Sequence, residues 1–224
     1  MDEATSKDLS DVGGRFYKRD FWSQENLKYS APHYRLLKSA HVINRIALGQ
    51  CRTLLDVGCG PAALAHLLDS NIDYFGIDIA IQQPSPRLTE LDFVESPIDF
   101  GGKRFDIVVA QGVFEYMGGC QRQKFQELSD LLPSNGTLLV SYVNFDHRRR
   151  HVYEPYNNVQ NIGRFRSDLE KFFVVRKCIP TSHNWGHAEP RRRLLRTLNF
   201  HLNVKIPVLT QLLAVEYFFI CSPR

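Results

Sequence analysis

A doubly wound α/β fold with a mostly parallel sheet is predicted by three observations. Short apolar strand-like runs alternate with helical segments along the chain. The first run ends in an acidic residue and a Gly-x-Gly turn, and a second run closes on another acidic residue. A third, Phe105-Asp106-Ile107-Val108-Val109-Ala110, is an unbroken buried strand pattern. Strands separated by helices pair in parallel through right-handed crossovers, and ligands then bind beyond the carboxyl ends of the strands. The chain has 224 residues, 43% hydrophobic and 23% charged, which suits one domain with a real core and added segments near both ends.

The elements follow in order. Residues 1–15 are polar, end in Gly13-Gly14 and are expected to be loose. A helix is expected from Ser30, with Pro32 in its first turn and an apolar stripe of Leu36, Ala40, Ile43 and Ala47. Residues 53–57 read as the first strand, 62–68 as a helix and 74–77 as the second strand. A weaker third strand, 88–93, follows the Pro84-Ser85-Pro86 turn without a clear helix before it. Residues 105–110 form the fourth strand. Phe125, Leu128 and Leu132 share one face of a helix over 121–132, and 137–143 is the fifth strand. A short helix over 167–172, a sixth strand over 173–178 and a last strand over 214–221 complete the pattern.

Charge excludes little. The net charge of +4 is a mild basic excess, carried partly by Arg148-Arg149-Arg150 and by Arg191-Arg192-Arg193 with Arg196. Such runs meet polyanions or simply form a solvated face. The five cysteines form no C-x-x-C pair, and their odd number argues against a disulfide framework and for reduced thiols in a cytoplasmic protein. No apolar signal core follows Met1, and no apolar run approaches the roughly 18 residues that span a bilayer. No residue pair has the spacing of a metal site.

The sharpest signal is Leu54-Leu55-Asp56-Val57-Gly58-Cys59-Gly60-Pro61-Ala62. Glycines let a backbone turn tightly and approach a ligand closely, and the expected helix amino terminus suits an anionic group. Asp78 closes the second strand, where a carboxylate can accept two hydrogen bonds from a ribose diol. Asp92 ends the third expected strand, with Phe93 beside it; the alternative for Asp92 is an ordinary turn residue. Cys59 is either a thiol activated by the helix end or a small neutral filler.

Together these residues resemble the class I S-adenosylmethionine-dependent methyltransferases. The resemblance covers roughly residues 50–145 plus the last strand, and implies a Rossmann-like, seven-stranded sheet with an antiparallel last strand. It implies S-adenosylmethionine as cofactor, with S-adenosylhomocysteine as product. The family's first motif falls on Asp56, Gly58, Cys59 and Gly60, its ribose acid on Asp78 with Ile79 following, and its adenine-side acid on Asp92 with Phe93. Gln111 and Gly112 fall where the family lines the methionine side.

A nicotinamide or flavin enzyme is the competing reading, since Gly58-Cys59-Gly60-Pro61-Ala62-Ala63 also fits the dinucleotide pattern. Asp56 opposes it, because a carboxylate there would repel a pyrophosphate. Family members acting on nucleic-acid bases often carry an Asn/Asp-Pro-Pro-aromatic tetrad after strand four. Here Gln111-Gly112-Val113-Phe114-Glu115-Tyr116 stands instead, so a small-molecule acceptor is expected, with Tyr116 where small-molecule enzymes of the family place a histidine. A nucleic-acid or protein methyltransferase stays open, as do an oxidoreductase and a non-catalytic binding module. The expected partner is a small-molecule acceptor, with neither nucleic acid nor membrane; the oligomeric state is open.

Segments outside the sheet should set specificity. The expected division is a cap and helix over 1–48, a cofactor-binding core over 50–145 and a substrate-lid insertion over 180–207. Tyr29, Tyr116, His147, Trp185 and His187 are the candidate pocket residues, and His183 is the candidate general base for a hydroxyl acceptor. Phe21-Trp22 and Tyr29 read equally as a lid or as a packed cap, and Asn157-Asn158 as a surface loop.

Overall fold

The computed structural model describes residues 34–145, 158–181, 214 and 216–224. Seven strands form one sheet: β1 (Arg52–Val57), β2 (Ile72–Asp78), β3 (Leu88–Glu90), β4 (Ile107–Ala110), β5 (Thr137–Val143), β6 (Phe173–Thr181) and β7 (Glu216–Pro223). Their order is β3-β2-β1-β4-β5-β7-β6. The first five strands pair in parallel, while β7 runs antiparallel to both β5 and β6. The expected topology is therefore the observed one. Strand order reverses between β1 and β4, and the crevice at such a switch point is where α/β sheets bind ligands.

Helices α1 (Tyr34–Ala47), α2 (Gln121–Asp130) and α3 (Ile162–Leu169) cover the sheet. Side chains alternate along the buried strands, so each face has its own core. Leu54, Ile107, Val109, Leu139 and Phe218 pack with Ala40, Ile43 and Ala47 of α1. Leu55, Val108, Ala110, Leu138, Val140 and Phe219 pack with Phe125 of α2 and Phe165 of α3. That second core is aromatic: Phe114 stacks on Phe125 with centroids 4.4 Å apart, and Tyr142 stacks on Phe165 at 4.0 Å.

Several boundaries differ from expectation. The helix expected over 62–68 is only a 3₁₀ turn, Ala65–Leu67. Ala62 is left-handed, with φ of 56°, and this turns the chain out of the right-handed path a helix would need. β3 stops at Glu90 because Asp92 ends the extended chain by accepting the N–H groups of Val94 and Glu95. β4 begins at Ile107, since the preceding Asp106 accepts the N–H and hydroxyl of Thr53 at 2.8 and 3.0 Å. α3 starts five residues earlier than expected, at Ile162, because the Asn161 side chain accepts the N–H of Arg164 and caps it. Pairing with β7 carries β6 on to Thr181, three residues further than expected.

One interaction across the α1 face has no counterpart in the hydrophobic pattern. The Lys38 ammonium lies 3.5 Å from Glu216 Oε2, with both side chains fully buried, and 4.8 Å from the Phe218 ring centroid. Breaking such a pair leaves a buried charge uncompensated. Lys38→Met or Glu216→Leu alone should therefore cost roughly 3–5 kcal/mol in urea unfolding, and the double substitution should recover most of it. Additive losses in the double variant would show that the two charges are not coupled.

Candidate cofactor site

The site is built at the carboxyl ends of β1, β2 and β4. After Val57 the chain turns back on β2: the N–H groups of Gly58 and Cys59 both donate to Ile77 O, at 2.8 and 3.1 Å. Gly58, Gly60 and Ala62 all have positive φ, at 73°, 54° and 56°. Glycine adopts that region without strain, whereas Ala62 does so at a cost of about 1–2 kcal/mol. Gly58 is required sterically as well, since a Cβ there would lie 2.5 Å from Val113 Cγ2. The glycine loop thus abuts the exit of β4, and the two make one wall.

Asp78 ties this loop down. Its Oδ2 accepts the N–H of Gly60 at 2.8 Å, and its Oδ1 accepts that of Ala80 at 2.9 Å. Asp56, one turn deeper, is buried and receives the Tyr74 hydroxyl at 2.8 Å. Burial raises its carboxyl to about 7; the Tyr74 hydrogen bond opposes the rise and the Asp78 charge adds to it. Cys59 is buried with its side chain against β2, where a Cβ at Gly76 would come within 2.7 Å of its Sγ. Burial and the charges of Asp56 and Asp78 push the thiol well above its ordinary value. Cys59 is a neutral filler. The activating helix end does not exist, because only the 3₁₀ turn follows the loop.

The other expected residues divide. Ile79 and Gly112 are half-buried beside this wall, with the Gly112 N–H donating to Ser141 Oγ at 3.0 Å. Gln111 is the first residue past β4. Asp92 lies two residues beyond β3 and spends Oδ1 on its own turn. Phe93 is buried in the α2 face core, with the Lys124 ammonium 5.0 Å from its ring centroid. Tyr116 ends a 3₁₀ turn, Phe114–Tyr116, in which Phe114 and Glu115 are the buried residues. Tyr29, His147, His183, Trp185 and His187 lie outside the described residues.

Three polar groups at this edge were given no role in the site by the sequence. Glu115 Oε1 accepts the Val143 N–H at 3.0 Å, and Asn158 bonds the backbone carbonyls of Phe114 and Glu115. Asn158 is thus a structural clasp between the exits of β4 and β5, not surface loop. Ser39 of α1 reaches Gln111. Its signal was available: a serine at a core position of an apolar helical stripe.

A methyltransferase-domain family model matches residues 31–174, and the chain belongs to that family. Over those residues it carries a methyltransferase domain. A Pseudomonas putida protein named "Probable fatty acid methyltransferase" is 31% identical over an alignment covering 48% of this chain and 33% of that protein. The chain therefore spans about a third of the length of that curated relative. Among solved structures, the plantazolicin methyltransferase BpumL, bound to a desmethyl-plantazolicin analogue and S-adenosylhomocysteine, superposes with a TM-score of 0.62. Identity to it is 13%, over 96% of this chain and 98% of that one. The N-methyltransferase NodS of Bradyrhizobium japonicum, bound to S-adenosylhomocysteine, has a TM-score of 0.56 and 12% identity, over 90% and 98%.

The Asp56 environment sets a pH dependence for the ligand-free fold. Its carboxyl is raised from 3.8 to about 7, so the folded state binds the proton more tightly than the unfolded chain does. That contribution is complete below about pH 4 and is lost as pH rises through about 7. Urea unfolding between pH 4.5 and 8 should show this fall, and Asp56→Asn should flatten it. Equal slopes in both proteins would remove Asp56 as the cause.

Proposed function

We propose that the enzyme methylates an oxygen or nitrogen of a small-molecule acceptor, using the wall of glycine loop and β4 exit as its cofactor cradle. The observation that carries the acceptor class is the fate of Phe114. Enzymes that act on a flipped base stack it against an aromatic side chain in the site. Phe114 is instead fully buried, stacked on Phe125 and edge-on to Phe165 at 6.0 Å. The names of the fatty acid, plantazolicin and N-methyltransferase relatives point the same way.

The residues present fit the cofactor. The positive-φ glycines Gly58 and Gly60 make the tight loop that such a ligand needs, and the acidic pair suits a cationic ligand. Asp56 would face the ammonium of the methionine end. Asp78 would hold the ribose diol, a carboxylate having about four acceptor sites, and Asp92 with Phe93 would stand at the adenine side. When bound, S-adenosylmethionine supplies a methyl group on a sulfonium, already a good leaving group. The protein then has to align the acceptor in line with that methyl, exclude water and receive the acceptor's proton. Residues 180–207 serve as the lid, with His183 as base and Tyr29, Tyr116, His147, Trp185 and His187 around the acceptor.

Asp78→Ala should weaken S-adenosylmethionine at least about tenfold in titration calorimetry; unchanged affinity would sink the ribose role. His183→Ala should lower single-turnover rates by roughly 10²–10⁴ with cofactor affinity kept, once an acceptor is found. A tight DNA or RNA complex at physiological salt, with a steep salt slope lost on neutralising Arg191, Arg192 and Arg193, would replace the acceptor class proposed here.

A further inference from the structure

Helix α2 buries a lysine that the proposed chemistry does not use. Lys124 is 1% exposed, and the three N–H donors of its ammonium meet three acceptors. These are Ser96 O and the two carboxylate oxygens of Glu127, each at 3.0 Å. The ammonium also lies 5.0 Å from the Phe93 ring centroid. Taking a lysine out of water is costly, and replacing a buried ion pair by apolar side chains is often neutral or stabilising. The stability of α2 therefore gives no reason for a lysine here. What the lysine reaches does.

Ser96 and Phe93 belong to the turn that follows β3. Asp92 Oδ1 accepts the N–H groups of Val94 and Glu95 at 2.9 and 3.3 Å, and Asp92 O accepts that of Ser96 at 2.9 Å. The turn leaves the sheet beside Asp78, for Glu90 pairs with Asp78 and the Leu91 N–H donates to Asp78 O at 2.9 Å. The bonds inside the turn fix its shape but not its place. Its place is fixed by Phe93 in the core and by the Lys124 ammonium, which takes the carbonyl at the turn's far end. We infer that Lys124 holds the turn over 92–96 in register with α2, so that the Asp92 carboxylate can select the amino-bearing base of the cofactor. The inference rests on the base-side reading of Asp92 given above. Lys124 acts through Asp92 and is a positioning residue.

Two ligands isolate base selection: S-adenosylhomocysteine, and its purine analogue with hydrogen in place of the 6-amino group. Calorimetric affinities for both are measured on the full chain, on Asp92→Asn and on two Lys124 variants. One is Lys124→Met; the other pairs it with Glu127→Leu, so that no buried charge is left uncompensated. Thermal melts identify the folded variants. The unmodified protein should prefer S-adenosylhomocysteine by at least about tenfold, as a hydrogen bond to a charged acceptor allows. Asp92→Asn keeps an oxygen for the N–H groups of the turn but gives up the charge, and should lose most of that preference. A folded Lys124 variant should narrow the preference at least about threefold, keep the analogue's affinity within about twofold, and add nothing once Asp92→Asn is present. A full preference in the folded Lys124 variants, or equal weakening of both ligands, overturns the inference while leaving the role of Asp92 standing. Further narrowing in the Asp92→Asn background overturns it too, since Lys124 would then not act through Asp92. A preference that is absent from the unmodified protein, or that survives Asp92→Asn, overturns the base-side reading itself.

Discussion

The carboxylate of Asp78 is the contact on which the site depends. A loop with three left-handed residues in five has no helix behind it to hold its shape, because only a single 3₁₀ turn follows. Its conformation is held from β2 instead. The carbonyl of Ile77 takes two N–H groups of the loop, and Asp78 takes a third, from Gly60. These charge-assisted and backbone bonds offset the strain at Ala62 and hold the loop's tight turn against β2. The same carboxylate closes β2 and starts the next turn through Ala80. Strand end, loop and binding surface are therefore one mechanical unit.

Around this unit the carboxyl edge of the sheet is more polar than its burial would lead one to expect. Lys38, Ser39, Asp56, Glu115, Ser141, Asn144 and Glu216 are all buried at or near strand ends. Buried polar groups are retained when they are satisfied by one another, and most of these are: Lys38 by Glu216, Ser39 by Gln111, Glu115 by Val143, Ser141 by Gly112. The effect is to set α1 on the exit of β4 and the start of β7, and to lock the exits of β4 and β5 together through Asn158, which also accepts the Tyr142 hydroxyl. A rigid floor of this kind suits a reaction in which alignment supplies most of the acceleration.

Asp56, whose carboxyl is raised well above its usual range, illustrates how location changes chemistry. Asp106 also stands beside β1, but it is partly exposed and bonded by Thr53 and Arg52, which together hold its carboxyl below the ordinary value. Asp56 has one hydroxyl partner, deep burial and a second carboxylate nearby, and its proton is held up to about neutrality. A cation arriving at Asp56 changes that balance, since it favours the ionised form.

Much of this was legible in the chain itself, for local reasons. Alternating apolar runs define strands, their separation by helices implies parallel pairing, and Asp56-Val57-Gly58-Cys59-Gly60 with Asp78 marks a loop that must turn tightly beside a carboxylate. Those signals depend on residues close in sequence. The tertiary structure decided what depends on distant partners. Only the fold shows that the loop is carried by β2 and not by a helix, because the left-handed Ala62 is a response to packing that its residue type does not announce. Only the fold joins Ser39 to Gln111 across 72 positions, and sets Lys38 on a glutamate at the start of the last strand. Hydrophobic periodicity says which face of a helix is buried; it carries no information about which polar group on another element will be waiting there.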